Sequence, residues 1–245
     1  MSAHVADLEL LDDDLVIDLR EPAGPAVIDL RIVQNLGLDI EVPAPRYRRW
    51  VKPVIDRTVA AFLLLALLPV LLTVAAAIRY SLGRGIFYRQ RRIGLGGTPF
   101  TVLKFRTMLP DRRARRVGEG WDGIDRRETH KTLNDPRHTR VGQFLRRWSL
   151  DELPQLVNVL KGEMSLVGPR PELPHIVERY QPWEHVRHVV RPGLTGFWQT
   201  QARADGPMQE FTHLDLEYVR TVSFATDVRL LLATPLAALG AQKGC

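Results

Sequence analysis

The stretch from Thr58 to Ile78 limits most strongly what this chain can fold into. It holds 21 residues without a single charged side chain. At about 1.5 Å per residue, such a helix is just long enough to cross the roughly 30 Å hydrocarbon core of a bilayer. It is too long, and lies too far along the chain, for an ordinary signal peptide. A helix buried in a protein core is the alternative, which so long an uncharged run disfavours.

Pro69 and the flanking charges decide between two ways of entering a membrane. Pro69 cannot donate a hydrogen bond to the carbonyl of Leu65, so a helix must kink or break there. Five basic residues lie between 46 and 57, and five more lie between 79 and 92. Because basic flanks favour the cytoplasmic side, the pattern predicts a re-entrant helix–break–helix rather than a full span.

The charge of the rest of the chain is unevenly distributed. The net charge is +6, but residues 1–45 carry −8 and residues 46–245 carry +14. A basic region of this kind suits nucleic acid, anionic lipid or a phosphorylated substrate. The single cysteine, Cys245, cannot form an internal disulfide, and no Cys/His cluster has zinc spacing. Magnesium bound by oxygen ligands is therefore the more plausible metal chemistry.

Composition divides the chain into three parts, and the fold class that follows is mixed α/β and mainly helical. We expect an acidic segment over residues 1–45, a basic-flanked membrane segment over 46–84, and a third part with short strands and helices over 85–245. Residues 109–135 are charged and poor in apolar side chains, so they read as a loop. Periodicity predicts two strands around a glycine turn, over 85–90 and 100–106, and helices over 141–148, 154–161, part of 172–190, and 223–239.

Asp151 and Glu152 are the strongest candidates for chemistry. They precede Pro154, which is tolerated at the first position of a helix, so we expect a helix from Pro154 to Lys161 whose free N–H groups face the carboxylates. Such a helix end also attracts phosphate. The alternative is structural, because Ser149 and Glu152 have the spacing of a capping box. In that register, however, Pro154 removes a hydrogen bond inside the helix.

Several basic and glycine positions are candidates for binding phosphate. Arg106 follows a strand pattern, and Pro171 biases Arg170 toward an extended backbone, which suits bidentate phosphate contacts. Arg147 lies four residues before Asp151 and is placed to screen its charge. The alternative for each arginine is a solvated surface charge, and Lys104 has a purely structural alternative. The remaining candidates are Arg203 and the segment with Gly193, Thr195 and Gly196, where glycine permits close backbone approach to phosphate or base. The alternative for this segment is a plain turn.

Behind the apolar segment the chain carries an ordered series of motifs, which are Tyr88–Gly94, Lys104–Met108, Asp135–Arg140, Leu150–Gln155, Asn158–Gly162, Met164–Pro171, Pro192–Gly196 and Leu214–Val219. They extend over about 200 residues and are specific as an ordered set. In this order they resemble the motifs of the bacterial sugar transferase family, the monotopic phosphoglycosyl transferases.

The resemblance implies a reaction and roles for the two carboxylates. Such enzymes transfer a sugar-1-phosphate from a nucleotide sugar, commonly a UDP-sugar, to polyprenyl phosphate. Asp151 is then the nucleophile that forms an aspartyl-phosphosugar, with UMP as the leaving group, and a carboxylate nucleophile divides one difficult transfer into two easier steps. The expected metal site consists of Glu152 and Asp151, with Mg²⁺ as the expected ion. Lys104, Arg106, Arg147, Arg170, Gly193, Thr195 and Arg203 are the expected substrate-binding residues.

The resemblance also implies partners and a location. We expect a nucleotide sugar, polyprenyl phosphate (undecaprenyl phosphate in bacteria), membrane lipid and downstream glycosyltransferases as partners, with a homo-oligomer left open. The expected location is the bacterial inner membrane, where the reaction initiates exopolysaccharide or glycan synthesis. The resemblance implies that residues 85–245 form a compact sugar transferase catalytic domain with interfacial helices, which faces the cytoplasm.

Three other functions compete with this interpretation. A catalytically silent membrane scaffold would use the acidic segment to bind partners, but it gives no role to Asp151 and Glu152. A nucleic-acid-binding protein would explain the basic charge but not Thr58–Ile78, and the chain lacks a recognition motif. A phosphatase acting on polyprenyl substrates would use the same aspartate with water as the acceptor. We expect no nucleic acid partner.

Overall fold

The computed structural model describes residues 15–17, 42–109, 139–202 and 211–240. In these ranges the chain is mainly helical, with a few short strands, as the sequence predicts. The predicted loop over 109–135 and the motif at Asp135–Arg140 fall largely outside the described residues. So does the acidic segment, apart from Leu15–Ile17, which form a short strand, β1.

A bent pair of helices occupies the apolar segment. Tyr47–Val51 form a π-helical turn that continues into α1 (Lys52–Ala66), and α2 (Leu68–Leu82) follows after a single residue, Leu67. The helix axis bends by 63° between the two arms. Pro69 stands in the first turn of α2, where its missing N–H does not interrupt a hydrogen-bonded helix. The predicted break at Pro69 is therefore confirmed.

The bent pair is only half covered by the rest of the protein. Ala60, Val74 and Ile78 are buried, whereas Phe62, Leu65 and Leu72 are exposed. Among the helices that the structure describes, none is by itself long and apolar enough to cross a bilayer, although the bent pair taken together has that length and composition.

A β-hairpin follows the helix pair. Strands β2 (Phe87–Ile93) and β3 (Pro99–Phe105) pair antiparallel, with Phe87 opposite Phe105 and their rings stacked 5.5 Å apart. The turn over Leu95–Gly97 contains Gly96 and Gly97 at positive φ, a conformation that glycine adopts without strain. Strand β1 lies parallel to β2 on its other edge. The strands and glycine turn predicted here are confirmed: the bounds of the first strand are displaced by two or three residues and those of the second by one.

The main core lies beyond this hairpin. After α3 (Arg140–Arg147) the chain forms a 3₁₀ turn over Leu150–Gln155 and then α4 (Leu156–Lys161), which packs against α1. Strands β4 (Ser165–Val167) and β5 (Gly193–Thr195) pair in parallel at its centre. Between them run the short helix α5 (Pro174–Val177) and a 3₁₀ segment over Pro182–Val189, which match the predicted partial helix.

The C-terminal helices close this core. A π-helical turn over Trp198–Ala202 leads toward α6 (Thr212–Thr221), and α7 (Phe224–Gly240) agrees with the predicted terminal helix. Tyr218 of α6 is almost fully buried. Its hydroxyl donates to Asp227 of α7, at 2.7 Å, and also lies 3.0 Å from the carbonyl oxygen of Val167. These bonds join both helices to the central strand pair.

Candidate active site

The Asp151–Glu152 pair lies on a 3₁₀ turn rather than in front of a helix. The backbone of Ser149 is left-handed, with φ of 54°, and turns the chain sharply from α3 into Leu150–Gln155. The predicted helix start at Pro154 is wrong, because the helical turn already begins at Leu150 and α-helix follows only from Leu156.

The capping-box alternative is also wrong. Ser149 makes no side-chain cap, and the backbone N–H of Glu152 donates to the Ser149 carbonyl at 3.2 Å. The carboxylate of Glu152 is consequently free to accept hydrogen bonds from distant parts of the chain.

Two cations hold Glu152. Lys104 Nζ of β3 donates to Glu152 Oε1 at 2.9 Å. The Arg170 guanidinium reaches both carboxylate oxygens, at 2.6 Å and 3.3 Å. Charge-assisted bonds of this bidentate kind are among the stronger hydrogen bonds in proteins. The structure thus brings together three predicted site residues that are 48 and 18 positions apart in sequence.

The pKa values of the two neighbouring carboxyl groups are shifted in opposite directions. Burial opposes ionisation of Glu152, but the charges of Arg170 and Lys104 outweigh burial and hold its pKa well below the usual range. Burial raises the pKa of Asp151, and the adjacent negative charge of Glu152 raises it further, against the opposing effects of Lys104, Arg146 and Arg170.

Asp151 is the less engaged of the pair. Within the part of the chain that the structure describes, no group donates a hydrogen bond to its side chain and no cation forms an ion pair with it. A half-buried carboxylate near several cations, but bonded to none of them, keeps its lone pairs available for attack on an electrophile.

Arg170 is positioned by residues that the sequence did not single out. Arg187 donates to the backbone carbonyl of Arg170 and forms a buried ion pair with Asp215, at 2.8 Å. It also donates to the Tyr180 hydroxyl. The Arg170 guanidinium lies over the ring of Trp198, 5.9 Å from its centroid, within cation–π range. No motif or spacing in the sequence distinguishes Arg187 from the other arginines.

The buried groups around Arg187 have altered pKa values. Burial raises the pKa of Asp215 to about 6, although the adjacent Arg187 lowers it. Burial lowers the pKa of Arg187, but Asp215, Tyr180 and Glu172 together outweigh burial, so the pKa is raised. The guanidinium therefore remains charged while it holds the Arg170 backbone.

Several predicted substrate residues lie elsewhere. Arg106 is buried and donates to the carbonyls of Leu82 and Gly83, at 2.8 Å and 3.3 Å, so it fastens the end of α2. The solvent-exposed Arg147 is not among the main charges acting on Asp151, whereas Arg146 is. Arg203 falls outside the described residues. Phosphate contacts by these residues stay predictions.

Gly193 and Thr195 belong to strand β5 and not to a turn. A Cβ on Gly193 would lie 2.1 Å from the backbone nitrogen of Gly168, so the close approach expected of this glycine is made to the residue that directly follows β4. Thr195 Oγ1 shares a hydrogen bond of 2.7 Å with Thr234 of α7. Both residues have a structural task in the core, and substrate binding by them stays a prediction.

The residue types at the pair fit a magnesium ion shared with a substrate. Within the described ranges, no three His, Cys, Asp or Glu side chains converge as a metal-binding group. Mg²⁺ is, however, commonly bound by one or two carboxylates together with substrate phosphates. Asp151 accepts no hydrogen bond from the residues that the structure describes, while Glu152 already accepts three from Lys104 and Arg170. Asp151 therefore offers the more available oxygens, and Glu152 the second ligand.

The sequence of this chain is similar to a known family and to several known proteins. A model of the family described as bacterial sugar transferase matches residues 47–241. The chain is 38% identical over 202 residues to the UDP-glucose:undecaprenyl-phosphate glucose-1-phosphate transferase of Escherichia coli, covering 79% of this chain and 41% of that protein. It is 40% identical over 188 residues to the exopolysaccharide production protein ExoY of Sinorhizobium fredii, covering 73% and 81%.

A third relative extends the match toward residue 1. The Xanthomonas campestris protein with the same name as the E. coli enzyme is 38% identical over 245 residues, which is 95% of this chain and 46% of that protein. The chain thus spans less than half the length of these two glucose-1-phosphate transferases, but most of the length of ExoY.

Proposed function

The chain belongs to the bacterial sugar transferase family, and from that premise we propose that it transfers a sugar-1-phosphate from a UDP-sugar to undecaprenyl phosphate. It is an enzyme of the phosphoglycosyl transferase type. The names of the E. coli and Xanthomonas relatives support this donor and acceptor, and the name of ExoY supports a place in exopolysaccharide synthesis.

One observation carries the proposed mechanism. Asp151 lies beside a fully paired glutamate and within the field of three cations, yet accepts no hydrogen bond from the described residues. In the first step an Asp151 oxygen attacks the sugar-bearing phosphorus. The Oδ–P bond forms, the bridging P–O bond breaks, and UMP leaves with the bridging oxygen.

In the second step a phosphate oxygen of the acceptor attacks the same phosphorus. The acyl-phosphate bond breaks and returns its electron pair to Asp151, and the product is a polyprenyl-diphosphate-sugar. Division into two steps means that the anionic donor and the anionic acceptor need not occupy the site together.

The cations supply electrostatic stabilisation in both steps. Lys104 and Arg170 are within reach of the carboxylate turn, and the diphosphate of the donor competes with Glu152 for them. Positioned cations stabilise charge that develops on a leaving phosphate. When bound by Asp151 and Glu152, Mg²⁺ would neutralise charge on the diphosphate oxygens.

The bent helix pair is proposed to enter the inner membrane and return to the cytoplasmic side. Its exposed apolar arms, the 63° bend and the basic flanks support this arrangement. Accessibility labels placed on either side of Thr58–Ile78 are expected to report the same compartment. Labels in opposite compartments would establish a full span instead.

A radiolabel assay tests the proposed reaction. Protein in nanodiscs is incubated with Mg²⁺, undecaprenyl phosphate and UDP-glucose, with UDP-galactose and UDP-N-acetylhexosamines as further donors. We expect lipid-linked sugar phosphate and UMP from the wild type, and at least a thousandfold less of both from Asp151→Asn, as for loss of a covalent nucleophile. Equal turnover in Asp151→Asn rejects the nucleophile. Release of free sugar phosphate without a lipid product identifies a phosphatase.

A further inference from the structure

Helix α3 has two faces of different character. Leu145 is buried, and Gly142 lies so close to Thr107 that an added Cβ would come within 1.8 Å of its carbonyl oxygen. The opposite face carries Phe144 and, directly after the helix, Trp148. These rings are 55% and 46% exposed, with centroids 6.4 Å apart. The core packing of α3 therefore leaves two adjacent aromatic rings facing outward.

The helix that carries this aromatic pair contacts both the bent helix pair and the carboxylate turn. On its inner face α3 packs through Leu145 into a cluster with Val74, Ile78 and Leu82 of α2. At its end, Trp148 is followed at once by the left-handed Ser149 and the 3₁₀ turn that carries Asp151. A molecule that runs from the apolar arm to Asp151 along this side passes over α3.

The charges of α3 complement a phosphate. Arg146 acts on Asp151 through space and donates to Thr107 Oγ1, at 2.9 Å. Arg140 and Arg147 are exposed on the same helix. Exposed aromatic rings next to arginines match a ligand that has an anionic head and a hydrocarbon tail, a combination that the acceptor has and the nucleotide sugar lacks.

From this geometry we infer that Phe144 and Trp148 bind the isoprenoid chain of the acceptor next to its phosphate. The inference rests on the proposed function, because it assumes that Asp151 receives a prenyl phosphate. The phosphate lies toward Arg146 and Asp151, while the first isoprene units cover the two rings. The rings thus select a prenyl phosphate over a phosphate that has no adjoining hydrocarbon.

The test separates binding of the acceptor from the chemistry at Asp151. A double variant, Phe144→Ala with Trp148→Ala, is compared with the wild type in nanodiscs. Trp183→Ala is the matched control, since Trp183 is 43% exposed but belongs to the 3₁₀ segment Pro182–Val189. Two quantities are measured: release of UMP in a single turnover without acceptor, and the KM for prenyl phosphates of increasing chain length.

We expect the double variant to release UMP as the wild type does, but with a KM for undecaprenyl phosphate raised roughly tenfold or more, as removal of two apolar contacts predicts. The dependence of KM on chain length should weaken along with it. The conservative variant Phe144→Leu with Trp148→Phe should recover most of the affinity, and Trp183→Ala should retain the wild-type KM.

Three results would overturn the inference. The first is an unchanged KM in the double variant. The second is a raised KM accompanied by an equal loss of binding to acceptor-free phospholipid vesicles, which would make the rings bilayer anchors. The third is an equal rise in Trp183→Ala. Failure of the proposed function looks different, because the wild type itself would then release no UMP and form no lipid product.

Discussion

Two acidic sites of this protein use their carboxylates in opposite ways. Asp227 of α7 is buried and accepts hydrogen bonds from Tyr47 (2.6 Å), Lys52 and Tyr218 (2.7 Å). Asp151 is half-buried and accepts none from the described residues. The first carboxylate is fully satisfied, and the second is surrounded by charge without being bonded.

The satisfied site fastens the bent helix pair to the core. Lys52 and Asp56 belong to α1, and Asp56 accepts from Ser165 Oγ of β4, at 2.7 Å. Together with Asp227 they tie the first helical arm to β4 and α7. A buried ion pair with all of its polar atoms bonded specifies one arrangement of the helices it joins. The Asp151 carboxylate, by contrast, accepts no hydrogen bond from the described residues, and its oxygens therefore remain available for reaction.

The largest expected effect is on the free energy of unfolding, which should respond differently to substitution of Asp227 and of Asp151. Asp227→Ala leaves Lys52 charged and buried without its partner, so we expect a loss of about 3–5 kcal/mol in the free energy of unfolding. Asp151→Asn should leave that free energy unchanged or slightly higher, because burial and Glu152 already disfavour the charged form of Asp151. Chemical denaturation in detergent measures both.

A paired variant sharpens this first prediction. Lys52→Met combined with Asp227→Leu removes both charges, and it should recover part of the stability that Asp227→Ala loses. If Asp151→Asn is as destabilised as Asp227→Ala, the contrast between the two sites is mistaken.

A smaller effect concerns pH. Because the pKa of Asp151 is raised, the rate of UMP release in a single turnover should fall on acidification at a pH above the ordinary range of an aspartate. Arg170→Gln removes one of the cations that favour the ionised form, so the acid limb of this variant should move to higher pH. Rapid-quench measurements across pH determine both limbs, and coinciding limbs would contradict the effect of Arg170.

The pH dependence expected of Glu152 concerns stability rather than rate. Its folded-state pKa is depressed by Arg170 and Lys104, so the stabilisation it provides is fully present above the pKa of an unfolded glutamate. That contribution is lost as the pH falls toward the folded-state pKa. Arg170→Gln should reduce this acid sensitivity, which thermal unfolding at several pH values can measure.

Local patterns in the sequence were sufficient for much of the fold. The break at Pro69, the hairpin around Gly94–Gly97 and the terminal helix each follow from the residues that form them. The start of the helix after Asp151 could not be predicted in this way. Ser149 adopts a left-handed backbone, which a non-glycine residue seldom does, and this shifts the helical turn to Leu150.

In the candidate site, too, some features follow from the sequence and others from tertiary packing. The sequence by itself determined that a carboxylate pair, basic residues and an apolar segment belong to one chain of this family, because residue types and their order suffice for that. Only the tertiary structure decided which cations meet Glu152, that Arg106 binds the end of α2, and that Arg187 and Asp215 support Arg170. Pairings between residues far apart in sequence depend on how the elements pack, and no local spacing encodes that packing.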